Sequence, residues 1–179
     1  MQITWFLPVK LSTYAKDHYS VVFPVINRCP CCQAGVRLTR HGFYQRNVLL
    51  EANEFRINIC RYFCPSCRRT VSLLPHFLLP YFQHTREVLL KSLQETLLRL
   101  SPQSLGRQIA AFYRQRFLFN LPAIINALRE QHWREVLPLD ENSKAIKVVE
   151  RLIFTPLKVT TSKVNLNNRV LANFMALSF

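Results

Sequence analysis

Apolar and polar positions change their period along this chain. Arg37-Leu38-Thr39-Arg40 leads through His41-Gly42 into Phe43-Tyr44-Gln45-Arg46-Asn47-Val48, and the glycine predicts a bend or bulge. Glu54 to Tyr62 then alternates at the strand period. Phe55, Ile57, Ile59 and Arg61 fall on one side and Glu54, Arg56, Asn58 and Cys60 on the other. A hairpin with an enlarged loop around Asn47 to Asn53 follows from this reading. From Thr85 to Leu100 the period becomes helical, with Leu89, Leu93, Leu97 and Leu100 on one stripe. Ser101-Pro102 reads as the cap and first turn of a second helix reaching Phe117, with Leu105, Ile109, Phe112 and Phe117 as its apolar side. Pro122 opens a third, with Ile125, Leu128, His132 and Val136 on its stripe. Three helices with short breaks are compatible with a helix-turn-helix unit.

The remaining segments carry weaker patterns. In residues 1–27, Val21 to Phe23 and Val25-Ile26 suggest a short strand broken by Pro24. Between Leu73 and Gln83, Pro75 and Pro80 among bulky apolar residues suggest an extended, packed connector. In residues 138–179, Lys147-Val148-Val149 and Leu157 to Thr160 favour strand. The expected organisation is an α+β chain: an arm over 1–27, a β-hairpin module and proline-rich connector over 28–83, a helical segment over 84–137 and a tail over 138–179.

Cysteine spacing gives the hairpin module its chemistry. Cys29-Pro30-Cys31-Cys32 and Cys64-Pro65-Ser66-Cys67 each contain a Cys-x-x-Cys. Each short loop places two thiolates on one side of a turn, and two loops complete the tetrahedron that zinc prefers. Cys29, Cys32, Cys64 and Cys67 are therefore the expected ligands of one structural Zn2+. Four thiolates close the coordination shell and leave no position for a substrate. Cys31 competes with Cys32 at a poorer spacing, Cys60 reads as a small buried apolar residue, and His41 is either a substitute ligand or a turn residue. A redox role for the paired cysteines has no thioredoxin-like context around it.

Charge extends the picture. The 179 residues carry 24 Lys and Arg against 10 Asp and Glu, a net charge of +14, which favours a polyanionic partner. Three glycines leave no room for a glycine-rich phosphate loop, while 49% hydrophobic residues suffice for a core. Met1 to Phe23 is interrupted by Lys10, Ser12, Lys16, Asp17 and His18, so it does not read as a secretory signal. No stretch approaches the roughly 18 apolar residues that cross a bilayer, and the expected location is cytoplasmic, with no membrane partner.

The residues Cys29-Pro30-x-Cys32, His41-Gly42-Phe43 and Arg61-Tyr62-x-Cys64-Pro65-x-Cys67-Arg68-Arg69-Thr70 resemble the zinc ribbon of bacterial insertion-sequence transposases. Val71 stands where that family usually carries phenylalanine. The continuation to Tyr81 is similar to a transposase-like bacterial family that pairs the ribbon with a helical DNA-binding segment. The likeness covers residues 28–118. It implies binding of duplex DNA at element ends; the chain is then either a separate subunit that works with a catalytic transposase subunit or a shortened copy that has lost its catalytic half, and an oligomer is compatible with both.

Catalysis is not expected. An RNase H-like core needs three carboxylates around two metal ions. Asp140 is the one aspartate after Cys67, and 42 residues follow Leu137, too few for such a core. DNA contacts are expected from two places. No acidic residue lies between Thr96 and Arg129, where Arg107 with Arg114 and Gln108 with Gln115 repeat at two helical turns. Arginine and glutamine pair bidentately with guanine and adenine. Arg37, Arg40, Arg46, Arg56 and Arg61 form a second basic cluster with Arg68 and Arg69, and these last two, behind a knuckle, are the expected phosphate contacts. A zinc module that docks RNA or protein is the alternative; an active recombinase ranks last.

Overall fold

A computed structural model describes residues 1–154 except Tyr19 and Gln131. The fold is α+β, with a four-stranded sheet and four helices. It divides into two compact units, residues 1–85 and 86–154 of the described chain. The strand expected over Leu157 to Thr160 lies outside the described residues.

In the first unit β1 (Gln2–Trp5), β2 (Thr39–Leu50), β3 (Asn53–Phe63) and β4 (Thr70–Pro75) form a sheet in the order β1-β4-β3-β2. β2 and β3 pair antiparallel from Thr39↔Phe63 to Leu50↔Asn53. The enlarged loop does not exist: only Glu51 and Ala52 connect the strands, so the 31 residues between the knuckles are spent on a long hairpin. The expected bulge falls between Arg40 and Phe43, where Gly42 sits at φ 92°. An L side chain is strained in that conformation.

Residues 1–27 are not a separate arm. β1 pairs parallel with β4, from Gln2↔Ser72 to Trp5↔Pro75. α1 (Leu11–Lys16) covers a sheet face, where its Leu11 and Tyr14 pack with Val48, Ile57, Ile59 and Leu74. No strand forms over Val21 to Ile26. The connector expected from Leu73 to Gln83 begins instead as the end of β4, because Val71, Leu73 and Leu74 are all buried there.

The sheet is covered on both faces, and alternation along β3 shows it. Ile57 and Ile59 join the α1 side, while Cys60 and Tyr62 join a second cluster with Ile3, Ile26, Leu38, Val71, Leu73, Cys29 and Cys64. Two cysteines of the paired motifs are thus core residues. Tyr62 is anchored by its hydroxyl donating to Pro24 O at 2.7 Å.

The second unit is three helices. α2 (Arg86–Leu97) buries Leu89, Leu93 and Leu97. It ends one turn before Leu100, at a Schellman-type stop in which Arg99 takes φ 59° and Leu100 N donates to Glu95 O. α3 (Arg107–Glu130) begins after Gly106, not at Pro102. Gln103 N donates to Glu95 Oε2 and Leu105 is buried, which ties residues 103–105 down before the helix can start.

α3 then runs through Pro122 as a single helix of 24 residues, so the break expected there is absent. Phe117, Leu121, Ile124, Ile125 and Leu128 continue one buried stripe across the proline. That burial outweighs the hydrogen bond to Leu118 that Pro122 cannot donate.

α4 (Glu141–Phe154) replaces the strand expected over Lys147 to Val149. Ala145, Val148, Val149 and Leu152 are buried at i, i+3, i+4 and i+7, a helical stripe that overrides the β preference of paired valines. Asp140 caps it by accepting from Ser143 N at 2.7 Å. α2 and α4 are tied at both ends: Asn142 Nδ2 donates to Leu97 O at 3.1 Å, and the Arg86 guanidinium to Leu152 O.

Two stability predictions follow from these helices. Pro122 is exposed and inside α3. Pro122→Ala should therefore raise stability by about 1–3 kcal/mol in denaturant unfolding; no gain would mean that the helix ends there. Asp140 is held below the ordinary aspartate range, first by the Ser143 N–H. Its cap contributes above the unfolded pKa and is lost as pH falls through the depressed folded value. Thermal melts of Asp140→Ala should lie below wild type at pH 7 and converge with it on acidification.

Candidate metal centre and basic surfaces

The two cysteine loops have the same backbone design. Gln33 N donates to Cys29 O and Cys29 N to Ala34 O, at 2.9 and 3.0 Å. Arg68 N donates to Cys64 O and Cys64 N to Arg69 O, at the same two distances. The residue four after the first cysteine is left-handed in both, Gln33 at φ 60° and Arg68 at φ 57°. Each loop folds back on itself and turns both of its sulfurs inwards.

Together they bring Cys29, Cys32, Cys64 and Cys67 into one group whose sulfur atoms all lie within 4.8 Å of one another. Cys29 and Cys67 sulfurs are 3.7 Å apart, and those of Cys32 and Cys64 are 3.9 Å apart. Thiolates at the usual metal–sulfur distance of about 2.3 Å occupy tetrahedral corners about 3.8 Å apart. None of the cysteines forms a disulfide. The group can hold a metal ion, and its dimensions are those of a four-thiolate site. Among the described residues it is the single such grouping of three or more His, Cys, Asp or Glu side chains.

Crowding perturbs the thiols of this cluster in opposite directions. Burial pushes the Cys29 thiol up, but hydrogen bonds from the Cys32 and Cys31 N–H groups and from the Cys64 and Cys32 thiols prevail and bring it down to about 6. At Cys67 the Arg69 N–H lowers the pKa, yet burial and donation to the other sulfurs push it up to about 12. The sulfurs share their protons unequally, Cys29 being the one pushed towards the thiolate and Cys67 away from it. A cation entering the cluster would displace the protons that remain.

The three alternatives weighed from sequence stand outside this group. Cys31 points its sulfur at Met1 Sδ, 3.5 Å away. Cys60 is fully buried in the sheet core, where burial raises its thiol to about 11. His41 packs on the Phe63 ring at 5.6 Å.

The basic residues divide into tied and free. Arg46 is structural: its guanidinium donates to Leu79 O at 2.8 Å and to Phe82 O. Arg61 is half-buried over the Tyr44 ring, 5.9 Å from the centroid. Arg37, Arg40, Arg56, Arg68 and Arg69 are exposed. A groove of about 420 Å³ lined by Phe23, Pro24, Arg37, Arg40 and Tyr62 opens in the same unit, a feature that no spacing in the sequence signals.

On α3 the expected faces are rotated. Gln108 and Gln115 point outwards and Arg107 is exposed, but Arg114 is half-buried with its Nε enclosed and unpartnered. The core stripe runs through Ala110, Tyr113 and Phe117. Ile109 and Phe112, expected in the core, are 44% and 53% exposed. Leu105 and Phe117 are buried as expected, and Tyr113 with Ala110 takes the place of Ile109 and Phe112 between them. The Arg116 guanidinium lies 5.8 Å from the centre of the Phe112 ring.

No helix among the described residues is long and apolar enough to cross a membrane. Neither a curated protein nor a solved structure matches the chain. A family model described as a domain of unknown function (DUF6431) matches residues 29–114. The match starts at the first cysteine of the metal group and ends in the second turn of α3, so the chain is similar to that family across the cysteine loops, the sheet hairpin and α2.

Proposed function

We propose that this protein is a zinc-dependent DNA-binding protein of transposase type that binds element ends and relies on a separate subunit for catalysis. The observation that carries the reading is the four-cysteine group with exposed Arg68 and Arg69 directly behind its second loop. The ion is one structural Zn2+, and the module is a zinc ribbon enlarged by β1, β4 and α1. The loops fix backbone that bears cations, which is how a phosphate contact is positioned. The groove beside Arg37 and Arg40 offers an aromatic and cationic lining to the same polyanion. In the helical unit, Gln108 and Gln115 on the outer face of α3 are the base-reading candidates and Arg107 flanks them; Arg114 is the less accessible partner. The helical unit takes the DNA-reading role without the helix break of a helix-turn-helix at Pro122.

One observation favours a second reading, in which the module docks a protein or RNA. Phe112 and Phe119 expose aromatic surface on the outer face of α3. Aromatic rings stack on unpaired bases or fill a protein pocket more readily than they meet a duplex backbone.

Metal analysis tests the first part. Purified protein should hold one zinc per chain, and Cys64→Ser should lose it together with the fold of the cysteine loops. A ribbon that stays folded without metal would refute the assignment.

Titration of duplexes at several salt concentrations tests the second part. Arg68→Ala should weaken all duplexes alike and reduce the salt slope by about one. Gln115→Ala should weaken the preferred site alone, by about 1–3 kcal/mol. Equal losses on preferred and random duplexes for Gln115→Ala would make α3 a non-specific contact. No loss for either variant would favour the docking reading.

A further inference from the structure

The loop between α3 and α4 presents apolar side chains to solvent in a fixed shape. Val136 is 84% exposed and Leu139 is 98% exposed. The loop is braced on its Val136 side. Arg134 donates to Arg129 O at 2.8 Å, Trp133 Nε1 to Glu135 Oε2 at 3.1 Å, and Lys147 Nζ to Val136 O at 3.3 Å. Lys147 also pairs with Glu135 at 2.9 Å. An apolar group held out by such a brace, as Val136 is, loses little conformational freedom when covered. Exposed apolar surface of this kind marks an interaction site.

A recess of about 690 Å³ lies on the same face, lined by Leu121, Ile125, Trp133 and Leu137, with Val136 and Leu139 themselves forming part of its wall. Arg129, Lys144 and Glu141 also line it, so both signs of charge are present. Projection and recess side by side on one surface are what an isologous contact requires, because each copy must supply both.

Charge decides which occupant this surface suits. Between residues 129 and 151 five Lys or Arg are balanced by five Asp or Glu, which is half of all the acidic residues in the chain. The whole net charge of +14 therefore lies outside this segment. Two copies with that surplus repel wherever their basic surfaces approach. Here they can meet without that penalty, and a two-fold axis can set the cations of one rim against Glu141 of the other. Around the recess itself Arg129, Arg134 and Lys144 stand against Glu135 and Glu141, and a nucleic acid gains little from charges so nearly balanced.

We propose that this face is a two-fold self-association surface, with Leu139 and Val136 of one copy seated in the recess of a second. The proposal is independent of the DNA-binding reading. Sedimentation equilibrium of the full chain should give twice the 21.1 kDa mass of one chain at concentrations above about 10 µM. Leu139→Asp should raise the dimer dissociation constant by about thirtyfold or more, with an unchanged circular dichroism spectrum. Val136→Ser should weaken the dimer in the same direction. Val22→Asp, at another exposed apolar position in the first unit, should leave it intact. A single-chain mass over the whole range would overturn the proposal. So would a Leu139→Asp dimer as tight as wild type, or association that grows beyond two chains.

Discussion

Four sulfur atoms within 4.8 Å of one another cannot all ionise unless a cation lies among them, and the first unit is arranged around that constraint. Cys29 and Cys64 are core residues on one face of the sheet, in the same cluster as Cys60, Tyr62 and Leu73. The metal group is therefore not an appendage clipped to a finished domain. β3 leads directly into Cys64, and β4 begins three residues after Cys67. A metal captured there would fix the end of one strand and the start of the next, and with them the register Cys60↔Leu73 to Phe63↔Thr70.

Magnitudes support that order of dependence. Gln33 and Arg68 hold left-handed backbone without being glycine, at roughly 1–2 kcal/mol each. A structural zinc in a small module contributes about 10–16 kcal/mol of apparent binding energy at neutral pH. A pair of strained turns is small against that. The same economy recurs where no metal is present: Arg99 and His132 take the left-handed position at the ends of α2 and α3. With three glycines in the chain, long side chains do the stopping, and local capping bonds such as Trp133 N to Leu128 O satisfy carbonyls left open at the helix end.

Cysteine spacing made the four-cysteine group legible from the sequence, since two Cys-x-x-Cys loops leave few other ways to gather four thiolates. The hairpin was legible from its period and Gly42. What failed did so for physical reasons that can be named. β1 and α1 were invisible because a four-residue strand that pairs with residues seventy positions away leaves no local pattern. Pro122 looked like a break because propensity is local, whereas the stripe from Phe117 to Leu128 is a tertiary fact. The valine pair of α4 suggested strand, although Ala145 and Leu152 completed a helical stripe around it. On α3, counting the largest apolar residues put Ile109 and Phe112 inside, when burial of the smaller Ala110 set the phase instead.

Charge is distributed as unevenly as hydrophobicity, and the two patterns constrain each other. In residues 1–85 ten Lys or Arg stand against three Asp or Glu, and the sheet core leaves Arg37, Arg40, Arg56, Arg68 and Arg69 at the surface. Only Arg46 and Arg61 are drawn inwards, each onto carbonyl or aromatic surface that offsets part of its desolvation. A fold that needed those cations solely for solubility would have scattered acids among them, as residues 129–151 do. The first unit instead keeps a surplus of one sign over a surface fixed by the sheet and the cysteine loops. A rigid array of like charges is costly to assemble by itself and is relieved when a polyanion neutralises it. The self-repulsion that the sheet and the metal group must overcome is thus the same energy that a phosphate backbone would release on binding.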